Sequence, residues 1–141
     1  MNRKKMYFCF VLVIMSFVCS IAIADENEPF PITQETQIYL NNVWFKSFPK
    51  EDKYEPVYIA LNNFFERPSW KQTKHDLKKD YIHIFFTGYA YLDGVKCKYN
   101  MNMYLHPKEK SIEFPQLGWA GASAGGIILN TETLLTAIYM P

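Results

Sequence analysis

Between Tyr81 and Leu105 the chain alternates between apolar and polar positions. Ile82, Ile84, Phe86, Gly88, Ala90 and Leu92 form one series, and Tyr81, His83, Phe85, Thr87, Tyr89 and Tyr91 form the other. After Asp93-Gly94 the apolar series resumes in the opposite phase, as Val95, Cys97, Tyr99, Met101, Met103 and Leu105. A period of two marks a strand with one buried face. Asp-Gly is a preferred two-residue turn of type I′, because both central positions need positive φ, which Gly adopts freely and Asp tolerates. The turn length fixes the register. It pairs Leu92 with Val95, Ala90 with Cys97, Gly88 with Tyr99, Phe86 with Met101, Ile84 with Met103 and Ile82 with Leu105. A slip of one residue would bury the Lys, Asn and His side instead. Strands of this length exceed the usual ~5–6 residues, so a bend is expected, at Gly88.

The flanks supply the remaining elements. A third strand follows the turn His106 to Ser111, setting Leu105 beside Ile112 and Met103 beside Phe114. An upstream strand is expected over Ser69 to His75, joined to the hairpin through Lys78-Lys79-Asp80. A helix is expected over Pro56 to Glu66. Proline suits a first helical position, where its missing N–H would have no partner. Val57, Ala60, Leu61, Phe64 and Phe65 share one face, and Pro68 stops the helix. A terminal helix over Thr131 to Tyr139, capped by Asn130 or Thr131, turns Leu134, Leu135 and Ile138 inward. Ile38 to Phe45 reads as a short strand, and Gly118 to Gly126 as a loop of small residues. The expected fold is α+β: an antiparallel meander of about four strands, with two helices packed on one face.

The N-terminus has a different pattern. Arg3, Lys4 and Lys5 precede an apolar stretch beginning at Met6, and Ala22 and Ala24 offer the small side chains a signal peptidase requires. Residues 1–24 are therefore expected to be a cleavable signal peptide, 25–37 a flexible leader, and 38–141 a single domain. The alternative is an uncleaved N-terminal anchor, since Met6 to Ala24 approaches the length of a membrane span. Cleavage would remove those three basic residues from fifteen and leave twelve against fourteen acidic ones, a net charge near −2. Such a domain has no electrostatic reason to seek nucleic acid or an anionic membrane. Cys9 and Cys19 would leave with the signal, and Cys97 alone cannot form an internal disulfide.

Candidate chemistry is sparse. Gly121-Ala122-Ser123-Ala124-Gly125 matches the nucleophile-elbow pattern, but that chemistry needs a parallel sheet and a downstream histidine, and none follows Ser123. His83 and His106 become diagonal neighbours in the hairpin register, with His75 on the preceding strand, yet no H-x-x-H or C-x-x-C spacing supports a metal site. Scattered carboxylates give no acid–base pair. Cys97 falls on the apolar face, which carries no Lys, Arg or His to activate it, and reads as a buried structural thiol. No catalytic, cofactor-binding or metal residue is assigned, and the chain is not expected to be an enzyme. The aromatic content is high, 17% of residues, and the other face of the hairpin is polar but rich in aromatics. Phe85, Tyr89, Tyr91, Lys96, Lys98 and Tyr104 form the candidate partner-binding face, because aromatic side chains bring large contact area at little entropic cost.

Leu61-x-x-Phe64-Phe65-x-x-Pro68-x-Trp70, followed by Ile84-x-Phe86-Thr87-Gly88, resembles a loose, largely uncharacterised group of small exported bacterial proteins. Their shared order is a helix ending in an F-F-x-x-P-x-W-like segment, a strand ending in F-T-G, and a short amphipathic terminal helix. The resemblance implies an exported α+β fold and carries no functional residues. Gly118 to Gly126 departs from it in being richer in Gly and Ala. The functional expectation is an exported binding module, periplasmic or extracellular, acting on a protein partner as an inhibitor or immunity protein would. The alternative is a small-ligand carrier, its pocket between the sheet and the first helix lined by Phe64, Phe65, Trp70, Phe86 and Met101.

Overall fold

The computed structural model describes residues 28–51, 53–75, 78–115 and 121–140; the signal segment expected over 1–24 lies outside them. Strand β1 (Phe30–Pro31) is followed by helix α1 (Gln34–Leu40), strand β2 (Trp44–Phe45) and helix α2 (Val57–Phe64). Strands β3 (Glu66–Gln72), β4 (Ile82–Leu92) and β5 (Val95–His106) come next. They are followed by β6 (Ser111–Glu113), β7 (Ala122–Ala124), β8 (Ile127–Ile128) and helix α3 (Thr131–Tyr139). The fold is α+β, as expected, but among the described residues the open sheet has eight strands rather than about four, and three helices accompany it rather than two.

The β4–β5 hairpin has the register that the turn dictates. Leu92 lies opposite Val95, Phe86 opposite Met101 and Ile82 opposite Leu105. Asp93 and Gly94 have φ of 49° and 80°, the sign both turn positions require. Ile82, Ile84, Phe86, Met101, Met103 and Leu105 are all buried, together with Leu134, Leu135 and Ile138 of α3. Full burial of a side chain such as Phe86 contributes roughly 1.5–3 kcal/mol. Gly88 has a specific reason to lack a side chain: a Cβ there would lie 2.7 Å from Cβ of Phe65.

The other elements shift from expectation in ways that packing explains. Helix α2 ends at Phe64, before the expected limit at Glu66, and Phe65 is already extended at φ −102° and ψ 142°. That conformation lets the Phe65 ring meet Phe86 at 5.2 Å and Tyr99 at 5.1 Å. Pro68 therefore does not stop the helix. It lies in β3, which begins at Glu66 rather than Ser69, inside a register shift between Glu66 and Ser69 where Arg67 has φ of 49°. A strand tolerates proline at such a bulge because no ladder bond needs its missing N–H.

On the far side of the hairpin, Leu105 pairs with Ile112 as expected. The expected pair of Met103 with Phe114 does not form. Strand β6 ends at Glu113, and the Asn102 amide donates instead to the Gly121 carbonyl at 2.8 Å. Strand β7 then takes the same edge of β5, setting Ala124 opposite Tyr99. Residues 121–126, expected as loop, make a second tight hairpin whose Gly125 and Gly126 have φ of 54° and 83°. Residues 118–120 of that expected loop lie outside the described residues.

The N-terminal segment differs most. Residues 30–40, expected as leader and strand, form β1 and α1. Thr33 Oγ1 caps α1 by accepting from the Thr36 amide at 3.1 Å, and the Thr33 amide donates to Oε1 of buried Gln72 at 3.0 Å. Strand β1 pairs with β3 at one margin of the sheet, whereas β2 pairs in parallel with β6 at the other. The chain between them buries Leu40 and Val43 in the common core. The amide of Val57 donates to the Val43 carbonyl at 3.0 Å, satisfying one of the unpaired groups at the start of α2.

Candidate functional site

Alternation places one face of the sheet against the helices and leaves the other without a covering helix among the described residues. Along β4 the helix-side residues Ile82, Ile84, Phe86 and Gly88 are buried and Ala90 and Leu92 half-buried, while on the other face His83, Phe85, Thr87 and Tyr89 are half-buried and Tyr91 is 66% exposed. Register across β3, β4 and β5 gives the outer face its rows. One row is Glu66, Tyr89 and Lys98, and another is Lys71, Phe85 and Asn102. Between them run Ser69, Thr87, Asn100 and Ser123. His83, Tyr104 and Glu113 form a further row.

The six residues expected to form a binding face share this face, in two groups separated by the Thr87 row. Near the hairpin turn, Tyr89 lies opposite Lys98 and Tyr91 opposite Lys96. Lys96 is ion-paired with Glu66 across β4, so its charge is already matched. At the other end, Phe85 and Tyr104 are joined through a histidine: the His83 ring lies 4.2 Å from Phe85 and 5.2 Å from Tyr104. Tyr81 extends the cluster, 4.4 Å from Tyr104 and 6.1 Å from His106.

The histidines differ in environment. Nε2 of His83 is buried and has no hydrogen-bond partner among the described residues. Burial holds its pKa below the usual imidazole value, and the charge of Lys79 adds to the effect. His106 Nε2 lies 2.9 Å from Glu113 Oε1, and Lys46 Nζ reaches the other carboxylate oxygen at 2.9 Å. Lys46, and then His106, hold the Glu113 carboxyl below its ordinary range despite some burial. His75 is exposed. Among the described residues no three His, Cys, Asp or Glu side chains converge as metal ligands would.

The other candidates fall apart geometrically. Ser123 sits in an antiparallel strand opposite Asn100 and Ile128, not on a strand-to-helix elbow. Cys97 is half-buried on the helix side. The space proposed as a carrier pocket is occupied by its own lining. Trp70 packs on Phe86 at 4.7 Å, Phe65 packs on Phe86 as described, and Met101 is buried beneath them. Phe64, at 37% exposure, lies against Phe65 at 4.8 Å.

Two features had no expectation from the sequence. Phe45, Phe48, Tyr54 and Tyr139 form an aromatic cluster that seats the end of α3, with Phe48 and Tyr139 stacked at 5.1 Å. Tyr139 follows Leu135 by four residues, a spacing that could have placed it on the buried stripe. Beside β2, an open hollow of about 460 Å³ is lined by Trp44, Lys46, Lys50, Glu109 and their neighbours. The Trp44 indole donates to the Tyr54 carbonyl at 3.0 Å, and Lys50 Nζ stands 5.5 Å from its ring. No helix among the described residues is long and apolar enough to cross a membrane.

Compared with protein-family models, curated proteins and solved structures, the chain matches none.

Proposed function

We propose that the protein is an exported, non-enzymatic binding module, periplasmic or extracellular, which engages a protein partner through the outer face of its sheet in the manner of an inhibitor or immunity protein. The observation that carries this reading is the outer face of a sheet whose other face holds the helices, left without a covering helix among the described residues, with Phe85, Tyr89, Tyr91 and Tyr104 set into it. Large rigid aromatic groups dominate binding energy where they become desolvated. Thr87, Asn100 and Ser123 between them offer hydrogen-bonding groups for the polar remainder of an interface. The export pattern over residues 1–24 supports a site of action outside the cytoplasm. A carrier with its ligand between the sheet and α2 has less support, because Phe65, Trp70 and Phe86 fill that space.

Affinity capture from envelope extract tests the proposal. The double variant Tyr89→Ala/Tyr91→Ala is expected to lose captured partner by roughly 30-fold or more, the effect of removing one or two anchors of about 2 kcal/mol. Capture equal to that of the unaltered protein would remove this face from consideration.

A further inference from the structure

The helices and the outer face of the sheet carry different charged residues. Helices α1, α2 and α3 contain no Lys or Arg, whereas Glu35 and Glu132 lie in the first turns of α1 and α3 and Glu55 precedes α2. The outer face of the sheet is reversed. Lys71 lies opposite Phe85, Lys98 opposite Tyr89 and Lys96 opposite Tyr91. The carboxylates on that face are already committed, Glu66 to Lys96 and Glu113 to Lys46 and His106. Lys71 and Lys98 are exposed and have no carboxylate partner among the described residues. The near-neutral total charge conceals this polarity.

We infer that the outer face receives an acidic protein surface, with carboxylates that meet Lys71 and Lys98 on either side of the Phe85–Tyr89 strip. The inference rests on the reading of this face as the binding surface. Phe85 and Tyr89 are four residues apart, so their rows are separated by about 13 Å along the strands, and β3 and β5 by about 10 Å across them. Two carboxylates at that separation belong to a macromolecular surface rather than to one small acid. A lipid surface would call for a denser basic cluster, on the order of 4–8 cations. Complementary charge of this kind accelerates and orients encounter, while the aromatic strip supplies contact area.

A random copolymer of glutamate and tyrosine serves as the probe, with a lysine–tyrosine copolymer and phosphatidylglycerol vesicles as counterparts. All are applied to protein recovered from cells expressing the full chain. The expected result is saturable binding of the acidic copolymer alone, weakened at least about tenfold by Lys71→Glu/Lys98→Glu and by Lys71→Gln/Lys98→Gln. The Gln variant guards against unfolding of the charge reversal. Equal binding of the basic copolymer, binding unchanged in the Gln variant, or tighter binding to vesicles would overturn the inference. Self-association abolished by the same substitutions would also overturn it, by making the acidic helix layer of a second copy the occupant. If the Lys variants bind normally while Tyr89→Ala/Tyr91→Ala does not, the acidic partner is lost and the face survives. If the Tyr variant also binds normally, the face itself is wrong.

Discussion

His83 brings an imidazole nitrogen into the aromatic cluster of the outer face and leaves it without a hydrogen-bond partner among the described residues. Burial disfavours a proton on the ring, and the nearby charge of Lys79 adds to the effect. The folded-state pKa is therefore below the unfolded value of 6.5. Below that value the unfolded chain binds protons more readily than the folded one, so stability is full above it and declines as pH falls through it. Glu113 has a lowered pKa too, but its contribution is lost only below its unfolded value of 4.5. The two windows are separate. Urea midpoints measured between about pH 7.5 and about pH 5.5 are expected to fall for the unaltered protein and to fall less for His83→Phe. Parallel slopes would show that His83 is as well solvated when folded as when unfolded. The Asp93-Gly94 turn and the alternation together were enough to put His83 opposite Tyr104. Its desolvation depended on how closely the rings of Phe85 and Tyr104 approach, which no spacing in the sequence encodes.

At the scale of elements, legibility followed the range of the interactions that set each boundary. The β4–β5 register was readable because a local turn and a long alternation specify it twice over. The limits of α2 and β3 were not, because a tertiary contact sets them: Phe65 leaves the helix to lie over Gly88. Across the sheet from Gly88, the register of β3 shifts at Arg67 and Pro68. Two glycines of one hairpin thereby become distinguishable. Gly94→Ala places a Cβ where nothing lies within 4 Å and meets only the cost of φ at +80°, about 1 kcal/mol. Gly88→Ala drives a Cβ against Phe65 Cβ, an atom that no rotamer change can move aside. Overpacking of that kind costs about 1–3 kcal/mol. Chemical denaturation should show the larger loss at Gly88, and the cost of Gly88→Ala should shrink in a Phe65→Gly background, which removes the clashing Cβ. A larger loss at Gly94 would mean that Phe65 does not pack there.

For the molecule as a whole, the decisive segment is the one least visible in the sequence. Residues 28–37 read as polar leader because Pro29 and Pro31 and a run of Thr, Gln and Glu dominate the composition. The signal for α1 was present in Thr33, a capping residue, with Glu35 in the first turn. A seven-residue helix has too few turns to announce itself by periodicity, and the strands on either side have two residues each. Such short elements persist only through the sheet margins they join, β1 on β3 and β2 on β6. An appendage would unfold independently, whereas a segment bonded to both margins must unfold with the sheet. Leu40, 0% exposed, reports the difference. Leu40→Ala should lower global stability by about 2–4 kcal/mol, the cost of a buried cavity. Far-UV and near-UV signals should remain coincident in a single transition, because the aromatic core and the helices share one cooperative unit. Two separated transitions, or a loss under about 0.5 kcal/mol, would make α1 a dispensable arm and limit the cooperative core to what lies between α2 and α3.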